Sequence, residues 1–131
     1  MRIAVDTNVL VRFLSWDEPV QAAAAASAIE AADAVVIATI VLCETVWVLR
    51  RAYKHSHAEI ATTLRALVDS RPVEVDRLAA EAGLRHLEKG GDFADGVILH
   101  EARRARTAKL VSFDRALGTL AGARVQTLAG A

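Results

Sequence analysis

Short apolar segments alternate with longer helical patterns along the whole chain, and this alternation limits the folds that it can adopt. The apolar segments predict β-strands at residues 2–6, 34–38, 72–75, 109–113 and 125–128. The helical patterns lie at residues 7–14, 19–32, 40–53, 57–70, 78–87, 92–106 and 115–120. Strands that are separated by helices form parallel sheets. We therefore predict an α/β fold with helical layers around a mostly parallel sheet of four to five strands.

Several residues mark the predicted helix ends. Thr39 is expected to cap the helix that begins at residue 40, and Asp76 to cap the helix that begins at residue 78. Gly90 and Gly91 then end that helix, because glycine tolerates the left-handed backbone angles found at helix C-termini.

Length and composition predict a single domain in a reducing compartment. The chain has 131 residues and a mass of 14.0 kDa, and no linker divides it. Its one cysteine, Cys43, excludes an intrachain disulfide and lies in an apolar run typical of the core. The longest apolar region, residues 34–49, is shorter than the roughly 20 residues of a membrane span and contains Glu44. We expect a cytoplasmic protein with no membrane partner.

The net charge of zero does not exclude a phosphate-bearing substrate. Five acids stand out in the motifs described below, and without them the chain has 16 basic and 11 acidic residues, a balance of +5. Divalent ions bound by those acids would shift the site further toward positive charge.

Two acids lie at the ends of predicted strands, and a third lies within an apolar helix. Asp6 and Asp114 end predicted strands, and ligands of open parallel sheets bind beyond the carboxyl ends of the strands. Asp114 could instead only cap the helix that follows it. Glu44 lies in a helix that is apolar on most sides, where an unpaired carboxylate is costly to bury. It needs a cation, a wet cleft or a partner, and a salt bridge to Arg50 or Arg51 is the simplest alternative.

Asp92 and Asp95 follow the glycine pair at a spacing of three residues, which places both on one face at the start of a helix. Capping by Asp92 and attraction of Asp95 to the positive helix end explain the pair equally well. Asp95 is the better candidate ligand, because a capping Asp92 has an oxygen occupied.

The acids together indicate a metal site. Clustered carboxylates repel one another unless a cation is present. A site with only oxygen ligands favours Mg²⁺ or Mn²⁺ over Zn²⁺. One or two such ions can orient a phosphodiester and lower the pKa of an attacking water. The sequence therefore predicts hydrolysis of phosphate esters.

The motifs, taken in order, resemble a known family. They are Val5-Asp6-Thr7-Asn8-Val9-Leu10, Glu44 in the helix after the second strand, Asp92-Phe93-Ala94-Asp95 and Ser112-Phe113-Asp114. The set resembles the PIN-domain ribonucleases and, more narrowly, the VapC-type toxins of bacterial toxin–antitoxin pairs. The similarity covers essentially the full chain. It implies one PIN-like domain over residues 1–131, folded as a three-layer α/β/α sandwich.

The resemblance also implies a Mg²⁺- or Mn²⁺-dependent endoribonuclease. Asp6, Glu44, Asp95 and Asp114 match the acidic positions of the family, and Asp92 matches a frequent additional acid. The polar residues that would support the site are Thr7, Asn8 and Ser112, the last of which stands where threonine is more usual. The family further implies a homodimer and a cognate antitoxin that blocks the acidic groove.

Several side chains are candidates for RNA contact. Arg115 is the best, because it adjoins Asp114. Basic groups on two helices, at residues 50–54 and 103–106, could equally be solvated faces. Trp47 is expected in the core or at a dimer interface, whereas Trp16 could stack on a base. The four histidines lack metal-ligand spacing and receive no catalytic role.

Three alternatives compete with a nuclease. A haloacid-dehalogenase-like phosphatase needs a second aspartate where this chain has Asn8. A receiver domain needs an acid pair, a phosphorylated aspartate and a lysine that the motifs do not supply. A catalytically silent PIN-like module that binds protein or RNA is the stronger competitor, although retention of every acid argues against it.

Overall fold

The computed structural model describes residues 1–130, in which five short strands alternate with seven α-helices. The strands are β1 (Arg2–Ala4), β2 (Ala34–Val36), β3 (Val73–Glu74), β4 (Leu110–Ser112) and β5 (Val125–Thr127). The helices are α1 (Thr7–Ser15), α2 (Pro19–Ala31), α3 (Thr39–Arg51), α4 (His57–Val68), α5 (Arg77–Glu88), α6 (Phe93–Arg104) and α7 (Arg115–Ala121). A 3₁₀ turn over Gly122–Arg124 precedes β5. Within these residues no helix is both long and apolar enough to cross a membrane.

The strands pair in parallel, in two hydrogen-bonded groups. One group has the order β1-β2-β3, with Val35 of β2 opposite Ile3 on one side and Val73 on the other. The second group pairs β4 with β5, with Leu110 opposite Val125. The predicted α/β fold with parallel strands is confirmed. Strands of two or three residues offer few backbone groups for pairing, so the ladder does not run continuously through all five.

The main core is formed by helices packed on the first sheet. One face of the fourth helix contributes to it, since Ile60, Leu64, Leu67 and Val68 are all buried. The first strand is only partly buried. Arg2 and Ala4 are exposed, and the Arg2 guanidinium donates to Glu74 of β3 at 2.8 Å. This strand lies at the edge of its sheet, where solvent reaches alternate side chains.

The predicted helix ends are mostly confirmed. Asp76 caps α5 by accepting a hydrogen bond from the backbone N–H of Ala79 at 3.2 Å, and Gly90 has a positive φ of 91°. The cap predicted at Thr39 is wrong. Thr39 is the first helical residue of α3, and Ala38 occupies the cap position without a side-chain hydrogen bond. Residue 38 already has the extended backbone of a cap residue, so the helix begins one residue earlier than expected.

Helices α5 and α6 pack closely because a glycine lies between them. A Cβ added at Gly96 would lie 2.5 Å from the carbonyl oxygen of Ala82 and 2.7 Å from Cβ of His86. Real Cβ atoms do not approach a backbone oxygen so closely, so any larger residue must separate the helices. The spacing of α5 and α6 therefore depends on this glycine.

We expect Gly96→Ala to lower the free energy of unfolding by about 1 kcal/mol. Overpacking costs about 1–3 kcal/mol and exceeds the helix-propensity gain of about 1 kcal/mol. Urea denaturation measures the change. Gly118→Ala in α7 is the matched control, because its new Cβ would meet only the Oγ1 end of Thr127 closely, and that side chain can rotate. Equal losses in the two variants would contradict this explanation.

Candidate active site

Three of the predicted acids begin helices. The Oδ1 atom of Asp6 accepts from the N–H of Val9 at 3.0 Å, and that of Asp92 accepts from Ala94 at 3.3 Å. Asp114 accepts from the first turn of α7, with the nearer N–H at 2.9 Å. Capping therefore explains the local structure of all three residues. Each carboxylate has a second oxygen, so a cap through Oδ1 is compatible with a further partner.

Three acids line one cavity of about 330 Å³, which we call the acidic cavity. Asp92 and Asp95 reach it from the start of α6, and Asp114 reaches it from the start of α7. The other charged or titratable lining residues are Arg50, Arg51, His57 and His86. The cavity thus combines carboxylates with two guanidinium groups, which can attract a phosphate.

Glu44 lines a second cavity of about 390 Å³, which we call the Glu44 cavity. Asp92 and Trp47 line both this cavity and the acidic cavity, so the two adjoin. Glu44 accepts a hydrogen bond from Oγ1 of Thr7 at 2.6 Å. Among residues 1–130 it forms no ion pair, so the alternative of a salt bridge to Arg50 or Arg51 is wrong. A threonine hydroxyl from the start of α1 orients this carboxylate instead.

The remaining predicted residues lie beside the cavities. Asp6 directly precedes Thr7, yet neither Asp6 nor Asn8 is among the residues that line the two cavities. Ser112 supports the cap of α7, since its Oγ accepts from the N–H of Asp114 at 3.0 Å. Arg115 also lies outside both linings, although the next two residues of α7 line the acidic cavity.

Negative charge is concentrated across both cavities. Burial raises the pKa of the half-buried Asp95, and the carboxylates of Asp92 and Asp114 raise it further, with His86 acting in the opposite direction. Burial, followed by the charges of Asp92 and Glu44, raises the pKa of the Cys43 thiol to about 11. Cys43 packs against the core as predicted. A cation would relieve this accumulation of charge.

The acids lie on adjoining surfaces, but they are not arranged as a set of metal ligands. As the side chains stand, residues 1–130 contain no group of three acids, histidines or cysteines close enough to hold a metal ion. Three acids share the acidic cavity, Glu44 lies in the next cavity, and Asp6 flanks the residue that holds Glu44. The donors are nevertheless carboxylates on adjoining surfaces, which fits a hard cation such as Mg²⁺ or Mn²⁺.

Trp47 is not in the core, so that part of its prediction is wrong, and a position at a dimer interface stays a prediction. Its side chain is 58% exposed and lines both cavities, and the Arg51 guanidinium lies 5.8 Å from its ring centre. The spacing of Glu44, Trp47 and Arg51 over three and seven residues gives them a common helix face. That spacing was the signal that could have placed Trp47 and Arg51 beside the acid. Nothing in the spacing of His57 or His86 signalled their positions.

The fold and the cavities define an α/β protein whose carboxylates lie on two adjoining surfaces. The sequence matches the PIN domain family over residues 3–123, and the chain belongs to that family. PIN domains are generally nucleases that act on nucleic acids, and they often depend on divalent metal ions. A search among curated proteins gave no significant match.

Proposed function

We propose that this protein is a Mg²⁺- or Mn²⁺-dependent endoribonuclease that hydrolyses RNA phosphodiester bonds. The acidic cavity carries the proposal, because it brings Asp92, Asp95 and Asp114 together with Arg50 and Arg51. Carboxylates suit a hard cation, and guanidinium groups suit the phosphate of a substrate. Membership of the PIN family supports the same activity.

The proposed metal ligands are Asp6, Glu44, Asp92, Asp95 and Asp114. Their chemistry fits, because all are oxygen donors and the charges around Asp95 and Cys43 already disfavour further negative charge. When bound, the metal would orient the phosphodiester, lower the pKa of the attacking water and stabilise the leaving oxygen.

Other residues of the chain would bind the RNA or orient the proposed metal ligands. Arg50 and Arg51 line the acidic cavity and would hold phosphate oxygens by charge-assisted hydrogen bonds. Thr7 fixes one oxygen of Glu44, and Ser112 fixes the backbone of Asp114. The exposed ring of Trp47 offers a surface on which a base could stack. Asn8 and Arg115 flank the site and are proposed as a supporting residue and an RNA contact.

We further propose that the nuclease is a VapC-type toxin that acts in the cytoplasm as a homodimer. The ordered motifs from Asp6-Thr7-Asn8 to Ser112-Phe113-Asp114 support this role. A cognate antitoxin would cover the acidic cavity and silence the enzyme. The exposed side chains of Ile40 and Trp47 on α3 would provide apolar surface for that contact.

Cleavage of a mixed cellular RNA pool tests the activity. Purified protein is incubated with Mg²⁺ or Mn²⁺, or with a chelator, beside the variant Asp6→Asn. We expect discrete products that require metal and are absent with the variant. Asp76→Asn is the matched control, because Asp76 also caps a helix but lies away from both cavities, and asparagine caps almost as well. If no RNA is cut and no metal binds, a catalytically silent PIN-like binding module becomes the better explanation.

A further inference from the structure

A third cavity, of about 280 Å³, lies between α5, α6 and α7, and we call it the basic cavity. Its charged and titratable lining residues are Arg85, Lys89, His86, His100, Arg103 and Arg124. They come from α5 and its C-terminal cap, from α6 and from the 3₁₀ turn before β5. No carboxylate is among the lining residues. The fold thus places four permanent cations around one concave surface.

These cations have little to neutralise them. Arg85 has one ion pair, a long contact of 3.9 Å to Glu81, and that carboxylate also accepts from Arg65 at 3.1 Å. Within residues 1–130, Lys89, Arg103 and Arg124 form no ion pair. Four cations with so little counter-charge repel one another, and a bound anion would reduce that repulsion.

The basic cavity adjoins the acidic cavity. His86 and Leu120 line both, so the side chain of one buried histidine separates a surface rich in carboxylates from one rich in cations. His86 is tightly enclosed, since a Cβ at Gly91 would lie 2.4 Å from its ring and one at Gly96 would lie 2.7 Å from its Cβ. The packing around His86 therefore fixes the position of one cavity relative to the other.

We propose that the basic cavity binds a phosphate of the RNA strand whose scissile phosphate lies in the acidic cavity. The proposal rests on the proposed nuclease function. Guanidinium and ammonium groups are the side chains that bind backbone phosphates, and such contacts set the position of the strand without reading its sequence. A strand that crosses His86 from the acidic cavity would meet these cations, which would hold one of its backbone phosphates.

Binding in the absence of cleavage tests this proposal. A labelled single-stranded RNA of mixed sequence is titrated with the full chain in a chelator, at several salt concentrations, and fluorescence anisotropy gives the affinity. The test variant is Arg85→Gln/Arg103→Gln. The matched control is Arg71→Gln/Arg104→Gln, which removes the same charge from exposed positions outside the three cavities. Arg104 adjoins Arg103 on the same helix, so the control also matches the local surface.

We expect the test variant to bind RNA about tenfold more weakly than the control. For the test variant, the slope of log affinity against log salt concentration should be smaller in magnitude by about 0.7. This is the value expected for the loss of one phosphate contact on a single strand. Lys89→Gln/Arg124→Gln should behave like the test variant, and it replaces that variant if Arg85→Gln/Arg103→Gln does not fold. Equal weakening in test and control variants would overturn the proposal.

Three further results would distinguish this proposal from a free-nucleotide site and from a failure of the proposed nuclease function. Tight binding of AMP that the test substitutions abolish, with RNA binding unchanged, would overturn it in favour of a free-nucleotide site. The protein could also bind RNA through the basic cavity and yet never cleave it. That result would support the phosphate contact and refute the proposed nuclease function. Normal cleavage, with test and control variants binding alike, would leave the nuclease and remove the phosphate contact.

Discussion

Asp95→Asn is expected to reduce metal-dependent RNA cleavage on the order of a thousandfold, which corresponds to about 4 kcal/mol of transition-state stabilisation. Asp95 is the half-buried acid of the acidic cavity, and its charge lies near those of Asp92 and Asp114. Asparagine keeps the shape but removes the negative charge that the metal requires. Single-turnover cleavage with saturating Mg²⁺ measures the loss.

The same substitution is expected to stabilise the metal-free protein slightly. The pKa of Asp95 is raised in the folded protein, so the folded state binds this proton more tightly than the unfolded state does. Ionisation of Asp95 therefore costs stability as the pH rises from the unfolded pKa through the folded pKa, and the cost persists at neutral pH. Asp95→Asn removes it. Thermal unfolding in a chelator at neutral pH should show an equal or higher Tm, and below the unfolded pKa the gain should disappear.

Asp76→Asn serves as the control for both measurements, since it should leave cleavage and Tm close to those of the unsubstituted protein. Cleavage by Asp95→Asn at the original rate would refute the assignment of Asp95 to the metal site. A large fall in Tm in the chelator would show instead that Asp95 is needed for the fold.

Phe93→Ala is expected to lower the free energy of unfolding by about 3–5 kcal/mol, a large part of the stability of a domain of this size. Phe93 is the first residue of α6 and is fully buried. Its ring occupies the space left by Gly83 of α5, where an added Cβ would lie 2.6 Å from the ring. Alanine would leave a cavity under the turn that carries Asp92 and Asp95. Urea denaturation measures the change.

Phe113→Ala is the matched control, because it removes the same atoms from a residue that is 68% exposed. We expect a loss below about 1 kcal/mol, as is usual for exposed positions. Similar losses at the two positions would contradict the assignment of Phe93 to the core. Loss of cleavage by Phe93→Ala under conditions where it stays folded would show that its packing also positions the two acids.

The sequence predicted the order and type of the elements well because their signals are local. Pro19 starts α2 and Asp76 caps α5, as their chemistry requires. Strand pairing was predicted less well. The separation of the β4–β5 pair from the three-stranded sheet depends on how far each strand extends, and strand length depends on tertiary contacts that periodicity does not encode.

The sequence predicted individual residues for the candidate site, but it did not predict how they are arranged in space. Asp92, Asp95 and Asp114 share a cavity, whereas Glu44 lies in the adjoining one and Asp6 lines neither. The core position considered for Trp47 is wrong because an apolar helix does not by composition alone reveal which of its faces stays unpacked. The position of His86 between two cavities follows from the close packing of α5 on α6, which depends on Gly96 and which periodicity does not encode.

The helix caps at Asp6, Asp92 and Asp114 have a consequence for how the protein matures. Each of these carboxylates is already held by backbone N–H groups, whose partial positive charge offsets the repulsion between acids. We therefore expect the chain to fold before it meets an ion, unlike small domains whose folding is driven by a metal. For the proposed nuclease, folding and metal loading would then be separate events, and a newly made molecule would be folded but inactive until divalent ions are supplied.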